Sequence, residues 1–262
     1  MQENITEKIW LVVKPILQKE KTTGRPEFDI KKTFFGILYV LENSIKWRCL
    51  PTEYGKPSTV HGKFMKWIYE GRIQKVFHII RGEYISLSEA FNNWYAIDTS
   101  SIKAPYANFS GKNPTDRGKR GIKKNIIVDS RGAPLVVNVA SAQIHDSKTF
   151  TSVLKLLEKI KRTAFSIIAA DSAYDSKNLK IKAMEKGFIL HTSTNKRRNK
   201  LKRIVKPLGR WIVEPCHSWL NNFRSIKICY TKNAETFLAF LQLFRAILKD
   251  LLNHQVILGH MR

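Results

Sequence analysis

The chain has 262 residues, 43% of them hydrophobic, and sets 46 Lys and Arg against 21 Asp and Glu, a formal charge of +25. That length provides for one large domain or two modest ones, and apolar runs broken early by charge exclude a membrane span. The basic excess calls for a polyanionic partner, nucleic acid first, because each neutralised phosphate releases counterions; a ribosomal or membrane-surface protein would share the balance.

In chain order, residues 1–90 read as a helical domain. "ITEKIWLVVKPILQ" has helical spacing, with Pro15 expected to kink or break it. Its N-terminal stretch lacks a signal pattern, since Glu3 and Glu7 precede only a short apolar patch. "DIKKTFFGILYVLEN" starts at an N-cap, Asp29, and "STVHGKFMKWIYEGRIQKVFHIIR" gives two short helices jointed at Gly71. Helices on tight turns studded with Lys and Arg suit a helix-turn-helix-like DNA binder, where Trp67 fits a core or a base-stacking role equally well. "GEYISLSEAFNN" reads as a connection.

From Trp94 the period changes. "WYAIDTSSIKA" reads as a strand, and "KKNIIVDSRGAPLVVNVAS" as two strands around a turn at Asp129 to Gly132. "DSKTFTSVLKLLEKI" is a helix capped by Asp146 or Ser147. "FSIIAAD" is a buried strand, "SKNLKIKAMEKG" a helix stopped by Gly187, and "FILHTS" a further strand. "VEPCHSWLNNFRSIKI" opens another helix, and residues 234–252 make the last. Three meandering strands followed by helix–strand alternation indicate an α/β domain, residues 91–262, with a mixed sheet flanked by helices on both faces.

Three acids share one setting. Asp98 and Asp171 each end an apolar run and are followed by small polar residues, and Glu214 ends an apolar triplet as a helix begins. If the first and fourth strands are parallel neighbours, Asp98 and Asp171 project from adjacent strand ends. Clustered carboxylates raise one another's pKa, and a divalent cation offsets this. Mg²⁺, with Mn²⁺ as an alternative, takes such oxygen ligands together with water and phosphate. Two such ions can displace a phosphodiester. Taken singly, an Asp at a strand end is more often a turn former, and Glu before a helix answers the dipole. Asp175 reads as the cap of its own helix.

These blocks, in this order, resemble bacterial insertion-sequence transposases of the DDE type, in the group named after insertion sequence five. The resemblance rests on "IKWRCLPTEYGKPSTVHGKFMKWIYEGRIQKVF", "AIDTSSIKA", "TDRGKRGIKKNIIVDSRGAPL", "AQIHDSKTF", "AADSAYDSKNL" and "GRWIVEPCHSWLNNFRSIKICY". It implies a ribonuclease-H-like fold with Asp98, Asp171 and Glu214 as catalytic metal ligands. The implied reaction cleaves the ends of a mobile DNA element and attacks target DNA with the freed 3′-hydroxyl. Arg210 fits an Arg-x-x-x-Glu pattern, whose flanking Tyr and Lys are replaced by Pro207 and Asn221. Arg224 and Lys227 are expected to supply the missing charge from the same helix and, with Arg210, to contact the DNA. Pro215 stands where members commonly carry Arg and is expected to hold Glu214 at the cap of its helix.

The remaining candidates follow from the charge. Arg117, Lys119, Arg120 and Lys123 crowd one glycine-interleaved segment with Lys112 and Lys124 and are read as DNA contacts, against the plainer reading of a solvated loop. "NKRRNKLKRIVK" is a second basic run. His145 and Asp146 either cap a helix or stand behind the metals. His217 beside Cys216 has no second pair at zinc spacing, and Cys49, Cys216 and Cys229 read as free thiols of a reducing cytoplasm. Trp94, Trp211 and Trp219 are expected in the core. The expectation is a cytoplasmic, nucleoid-associated bacterial enzyme on double-stranded DNA, with no membrane partner and as a homodimer on paired ends. The alternatives are a decayed transposase that only binds DNA and a structure-specific nuclease on the same fold.

Overall fold

The computed structural model describes residues 2–18, 28–87, 93–160, 165–193 and 209–244. The described residues sort into two compact units. One gathers those of Met1–Glu89, Phe223–Ile226 and Glu235–Arg262; the other gathers those of Ala90–Asn222 and Lys227–Ala234.

The first unit is helical: α1 (Gln2–Leu17), α2 (Ile30–Asn43), α3 (Pro57–Tyr69) and α4 (Arg72–Leu87), with residues 235–244 also helical. Asp29 caps α2 as expected, its side chain accepting from the Lys32 amide. Gly71 makes the joint between α3 and α4 at φ 67°, a left-handed turn that a side chain disfavours. Pro15 does not break α1. It sits in the last turn, where only one further carbonyl partner is lost. The expected connection after residue 82 is helical instead, because α4 runs on to Leu87. Phe34, Ile37, Leu41, Val60, Phe64 and Trp67 are fully buried, so Trp67 belongs to the core of this unit.

The second unit is built on a six-stranded sheet: β1 (Trp94–Lys103), β2 (Gly111–Lys112), β3 (Arg120–Asp129), β4 (Pro134–Ser141), β5 (Ser166–Ala170) and β6 (Phe188–Thr192). β3 runs antiparallel between β1 and β4; β1 pairs parallel with β5, and β5 with β6. The order β4-β3-β1-β5-β6 is the mixed, ribonuclease-H-like arrangement expected from the element order. The two-residue β2 is an addition that pairs with the start of β3. The β3–β4 turn is held by Asp129, whose carboxylate accepts from the Arg131 and Ala133 amides.

Both faces carry a helix. Thr149 of α5 (Asp146–Glu158) bonds Asn125 on one face of β3, and Asn221 of α7 (Val213–Asn222) bonds Lys124 on the other. Adjacent strand residues point to opposite faces, so α5 and α7 sandwich the sheet between them. α6 (Lys177–Glu185) precedes β6, and the short α8 (Arg224–Lys227) follows α7. The expected cap of α5 is corrected to His145, whose side chain accepts from the Ser147 amide. Ser176, not Asp175, stands at the N-cap of α6. The Asp175 carboxylate accepts instead from Lys180 and Thr192. β5 is not wholly buried, since Ile167 is exposed on one side. No helix among the described residues is long and apolar enough to cross a membrane.

Candidate active site

Asp98 lies mid-way along β1, flanked on the N-terminal side by the fully buried Tyr95, Ala96 and Ile97. The β1–β5 register runs Trp94–Ile167, Tyr95–Ile168, Ala96–Ala169, and two further steps set Asp98 level with Asp171. Asp171 keeps an extended backbone, and its Oδ1 accepts from the Ala173 amide, which fixes the turn after β5. The two acids therefore come to equivalent places on neighbouring parallel strands. Burial pushes the Asp98 carboxyl up to about 6; Asp171 and Asp146 add to the rise, while the Thr99 amide and Arg210 oppose it.

Glu214 arrives differently. A 3-10 turn, Arg210–Ile212, leads into α7, and Glu214 is the second residue of that helix with Pro215 the third. Proline is tolerated in a first turn because its amide would be unpartnered there, so Glu214 sits inside the helix rather than at its cap. Its side chain is 62% exposed and lies 3.7 Å from the Arg210 guanidinium. Among the described residues, no three His, Cys, Asp or Glu side chains stand close enough together to hold a metal ion. The structure thus gathers Asp98 and Asp171 and leaves Glu214 facing outward beside Arg210.

The residue of α7 that meets Asp98 is His217. Its Nε2 is 3.7 Å from Asp98 Oδ2. Burial, with the charge of Lys124 behind it, pushes the imidazole down to about 4, so it is neutral at physiological pH. Both ring nitrogens are buried with no hydrogen-bond partner. Lys124, also on this face, is fully buried and donates to Asn221 Oδ1 at 3.1 Å. Burial pushes its ammonium down to about 8. A cation therefore reaches position 221 from β3, and not from the same helix as expected, since Arg224 and Lys227 lie in α8.

Neither role is apparent from the sequence. Lys124 reads by charge as part of a basic segment, although its spacing from Ile122 and Ile126 puts it on their face of β3. His217 reads from Cys216 as half of a zinc pair, and only the packing of α7 on the sheet brings it to Asp98.

On the opposite face, Thr99 Oγ1 donates to Asn125 Oδ1 at 2.8 Å and accepts from the Tyr174 hydroxyl at 2.8 Å. Thr149 donates to the same Asn125 oxygen at 2.9 Å. This chain ties the turn carrying Asp171 to the strand carrying Asp98. His145 is exposed and acts as the α5 cap, while Asp146 accepts from Lys123 at 2.7 Å.

The basic residues divide by what they already hold. Arg120 donates to Ser110 Oγ and the Ala107 carbonyl, and Lys123 to Asp146 and the Ile144 carbonyl, so both stiffen their own surroundings. Arg117 and Lys119 are exposed in the turn before β3, which Asn113 organises by accepting from Thr115. Gly121 does not make room for a phosphate: a Cβ there would sit 2.9 Å from the Ile102 carbonyl oxygen. Beyond Asp98, a groove of about 460 Å³ is lined by Ser100, Lys103, Asn113, Thr115, Asn221 and Lys227. Arg224 belongs to the other unit. Trp211 is 65% exposed, against the expectation of a core position. The three cysteines are free thiols. The run at 195–206 and Pro207 lie outside the described residues.

The family model described as "Transposase DDE domain" matches residues 91–249, more than half of the chain. The chain belongs to the DDE transposases. A second model, "Putative transposase of IS4/5 family (DUF4096)", matches residues 5–77 of the transposase. It is 30% identical over 142 residues to the "Putative transposase for insertion sequence element IS402" of Burkholderia cepacia, across 51% of this chain and 65% of that one. It is also 27% identical over 107 residues to the "Insertion element IS402 uncharacterized 16.2 kDa protein" of the same organism, across 38% of this chain and 73% of that one. The match thus spans slightly under two thirds of the first relative's length. Among solved structures, a piggyBac transposase synaptic complex with hairpin DNA aligns with TM-score 0.49 and 13% identity, over 93% of this chain and 70% of that one. The catalytic core domain of BIV integrase aligns with TM-score 0.35 and 13% identity, over 58% and 83%.

Proposed function

We propose that this DDE transposase cleaves the ends of a mobile DNA element and joins the freed 3′-hydroxyl to target DNA, using Mg²⁺ or Mn²⁺. The observation that carries the reading is the register that sets Asp98 level with Asp171 on adjacent parallel strands. Two carboxylates so placed, one of them held above its ordinary pKa by burial and by its acidic neighbours, form a donor set that a divalent cation would relieve.

In this reading Asp98 and Asp171 hold the metal from the sheet, and Glu214 completes the set from the first turn of α7. A cation bound there would stabilise charge on the scissile phosphodiester and activate the attacking oxygen. Arg210, one turn before Glu214 and 3.7 Å from its carboxylate, sets a positive charge beside it. Lys103 and Lys227 line the groove beyond Asp98 and hold the DNA backbone there, while Arg117 and Lys119 meet phosphates from their exposed turn. Residues 1–90 serve as the DNA-binding domain and 91–262 as the catalytic one. The protein works on double-stranded DNA in the bacterial cytoplasm, at the nucleoid, as a dimer holding paired ends.

The test uses the full chain, DNA carrying the element's ends, and Mg²⁺. Asp98→Asn, Asp171→Asn and Glu214→Gln each lower strand cleavage by about 10³-fold or more, the several kcal/mol that a metal-stabilised transition state represents. DNA affinity stays within a few fold. Full cleavage by a variant removes that residue from the set. Glu214 is the member to examine most closely, since its outward pose also suits a protein that only binds DNA. Wild-type protein that binds end DNA but cuts it with neither metal would establish that second reading.

A further inference from the structure

His217 is chemically out of place where it stands. It is 8% exposed, and neither ring nitrogen has a hydrogen-bond partner. A buried polar atom left unpaired costs about 1–3 kcal/mol, and native proteins leave few such atoms without a reason. Asp98 does not resolve the matter, because 3.7 Å between Nε2 and Oδ2 is too long for a hydrogen bond.

That spacing suits a different relation. Imidazole nitrogen and carboxylate oxygen each lie roughly 2.0–2.2 Å from a shared metal ion, which sets the two donors about 3–3.5 Å apart. A shift of a few tenths of an ångström would bring this pair to that separation. We propose that His217 Nε2 is a nitrogen ligand to the cation held by Asp98, so that this metal site contains a histidine as well as acids.

The inference rests on the metal-dependent reading above and adds to it a donor and a metal preference. Asp98 and His217 can share one cation whose remaining positions are open to Asp171, water and phosphate oxygens. His217 follows Glu214 by one helical turn on α7, and of the two it is His217 that is buried against the sheet. Mg²⁺ is the harder ion and the more strictly selective for oxygen, so a nitrogen donor shifts the site's preference toward Mn²⁺.

The probe is Mn²⁺ added to the full chain with end DNA, read by pulsed electron paramagnetic resonance. Wild type shows echo modulation from a directly bound ¹⁴N, and labelling the wild-type chain with ¹⁵N-histidine changes its frequency. Because that second measurement needs no variant, it holds even if a substitution at 217 disturbs folding. His217→Gln keeps Mn²⁺ but loses the nitrogen modulation. Its Mn²⁺ affinity falls by about 10-fold, and its preference for Mn²⁺ over Mg²⁺ narrows. Bound Mn²⁺ without nitrogen modulation, lost on Asp98→Asn, overturns the histidine ligand and leaves the acidic site standing. Modulation that persists in His217→Gln also overturns it, by assigning the nitrogen elsewhere. No Mn²⁺ uptake with DNA present overturns both the ligand and the metal-dependent reading.

Discussion

The two faces of the central sheet use the same strands in opposite ways. Toward α5, alternate residues of β1 and β3 join a closed chain of hydroxyls: Tyr174 to Thr99, Thr99 to Asn125, and Thr149 to Asn125. Toward α7, the intervening residues put a fully buried ammonium, a neutral imidazole with two unpartnered nitrogens and a carboxyl pushed up to about 6 into one neighbourhood. The first face is nearly satisfied within the chain, with the Asn125 amide nitrogen left over. The second is costly as it stands, and it is the face on which the proposed metal site lies.

The sharpest way to break this contrast is at Lys124. Its folded pKa of about 8 lies below the ordinary lysine value of 10.5. Between those values the unfolded chain holds a proton that the folded chain has lost, so wild-type stability rises with pH across that window. At neutral pH the shift corresponds to about 3 kcal/mol of destabilisation. Lys124→Met removes the charge at similar volume. It should match or exceed wild type at pH 7, with the advantage shrinking toward pH 10.5, as urea denaturation at several pH values would show. Taking the difference between the two proteins cancels the other lysines. Parallel curves would mean that Lys124 carries no strain and that the α7 face is no more costly than the other.

How much of this could be read beforehand depends on where the information lies. The β1, β3 and β5 strands and the β3–β4 turn follow from short apolar runs with punctuating turn residues, which are local signals, whereas the parallel pairing that sets Asp98 level with Asp171 stands in the sequence only as a condition. The α7 face is not local. Nothing near Lys124 in the sequence says that Asn221 will lie over it, and nothing near His217 names Asp98 as its neighbour. The same limit explains the α5 cap. Asp146 and Ser147 are better cap formers than His145 by type, but Asp146 is drawn to Lys123, which lies across the sheet.

On the satisfied face the expected effects are smaller. Tyr174→Phe deletes one hydroxyl and leaves Thr99 still bonded to Asn125, costing about 1–2 kcal/mol in urea denaturation. The aromatic ring keeps its packing against Phe150. Since Tyr174 is three residues past Asp171, cleavage should fall by no more than a few fold, through looser placement of that acid. A loss as large as that of Asp171→Asn would mean that the α5 face takes part in the chemistry and that the division between the faces is wrong.

The smallest effect is at His145, and it tests whether the α5 face reaches the proposed metal site at all. His145 Nδ1 accepts from the Ser147 amide at 3.3 Å at the start of α5, and its side chain is exposed. As a cap alone, it contributes about 0.5–1 kcal/mol. His145→Ala should lower the unfolding free energy by that amount, seen as a lower urea midpoint at unchanged slope, since no further surface is exposed on unfolding. His145→Asn, which restores a capping acceptor, should recover most of the loss. Mn²⁺ affinity and cleavage at a temperature well below unfolding should not move in either variant. If cleavage instead drops in both while stability is recovered in the asparagine form, the imidazole itself is needed. His145 would then act on the metal ligands through Asp146, its neighbour in sequence and one of the acids that raise the Asp98 pKa.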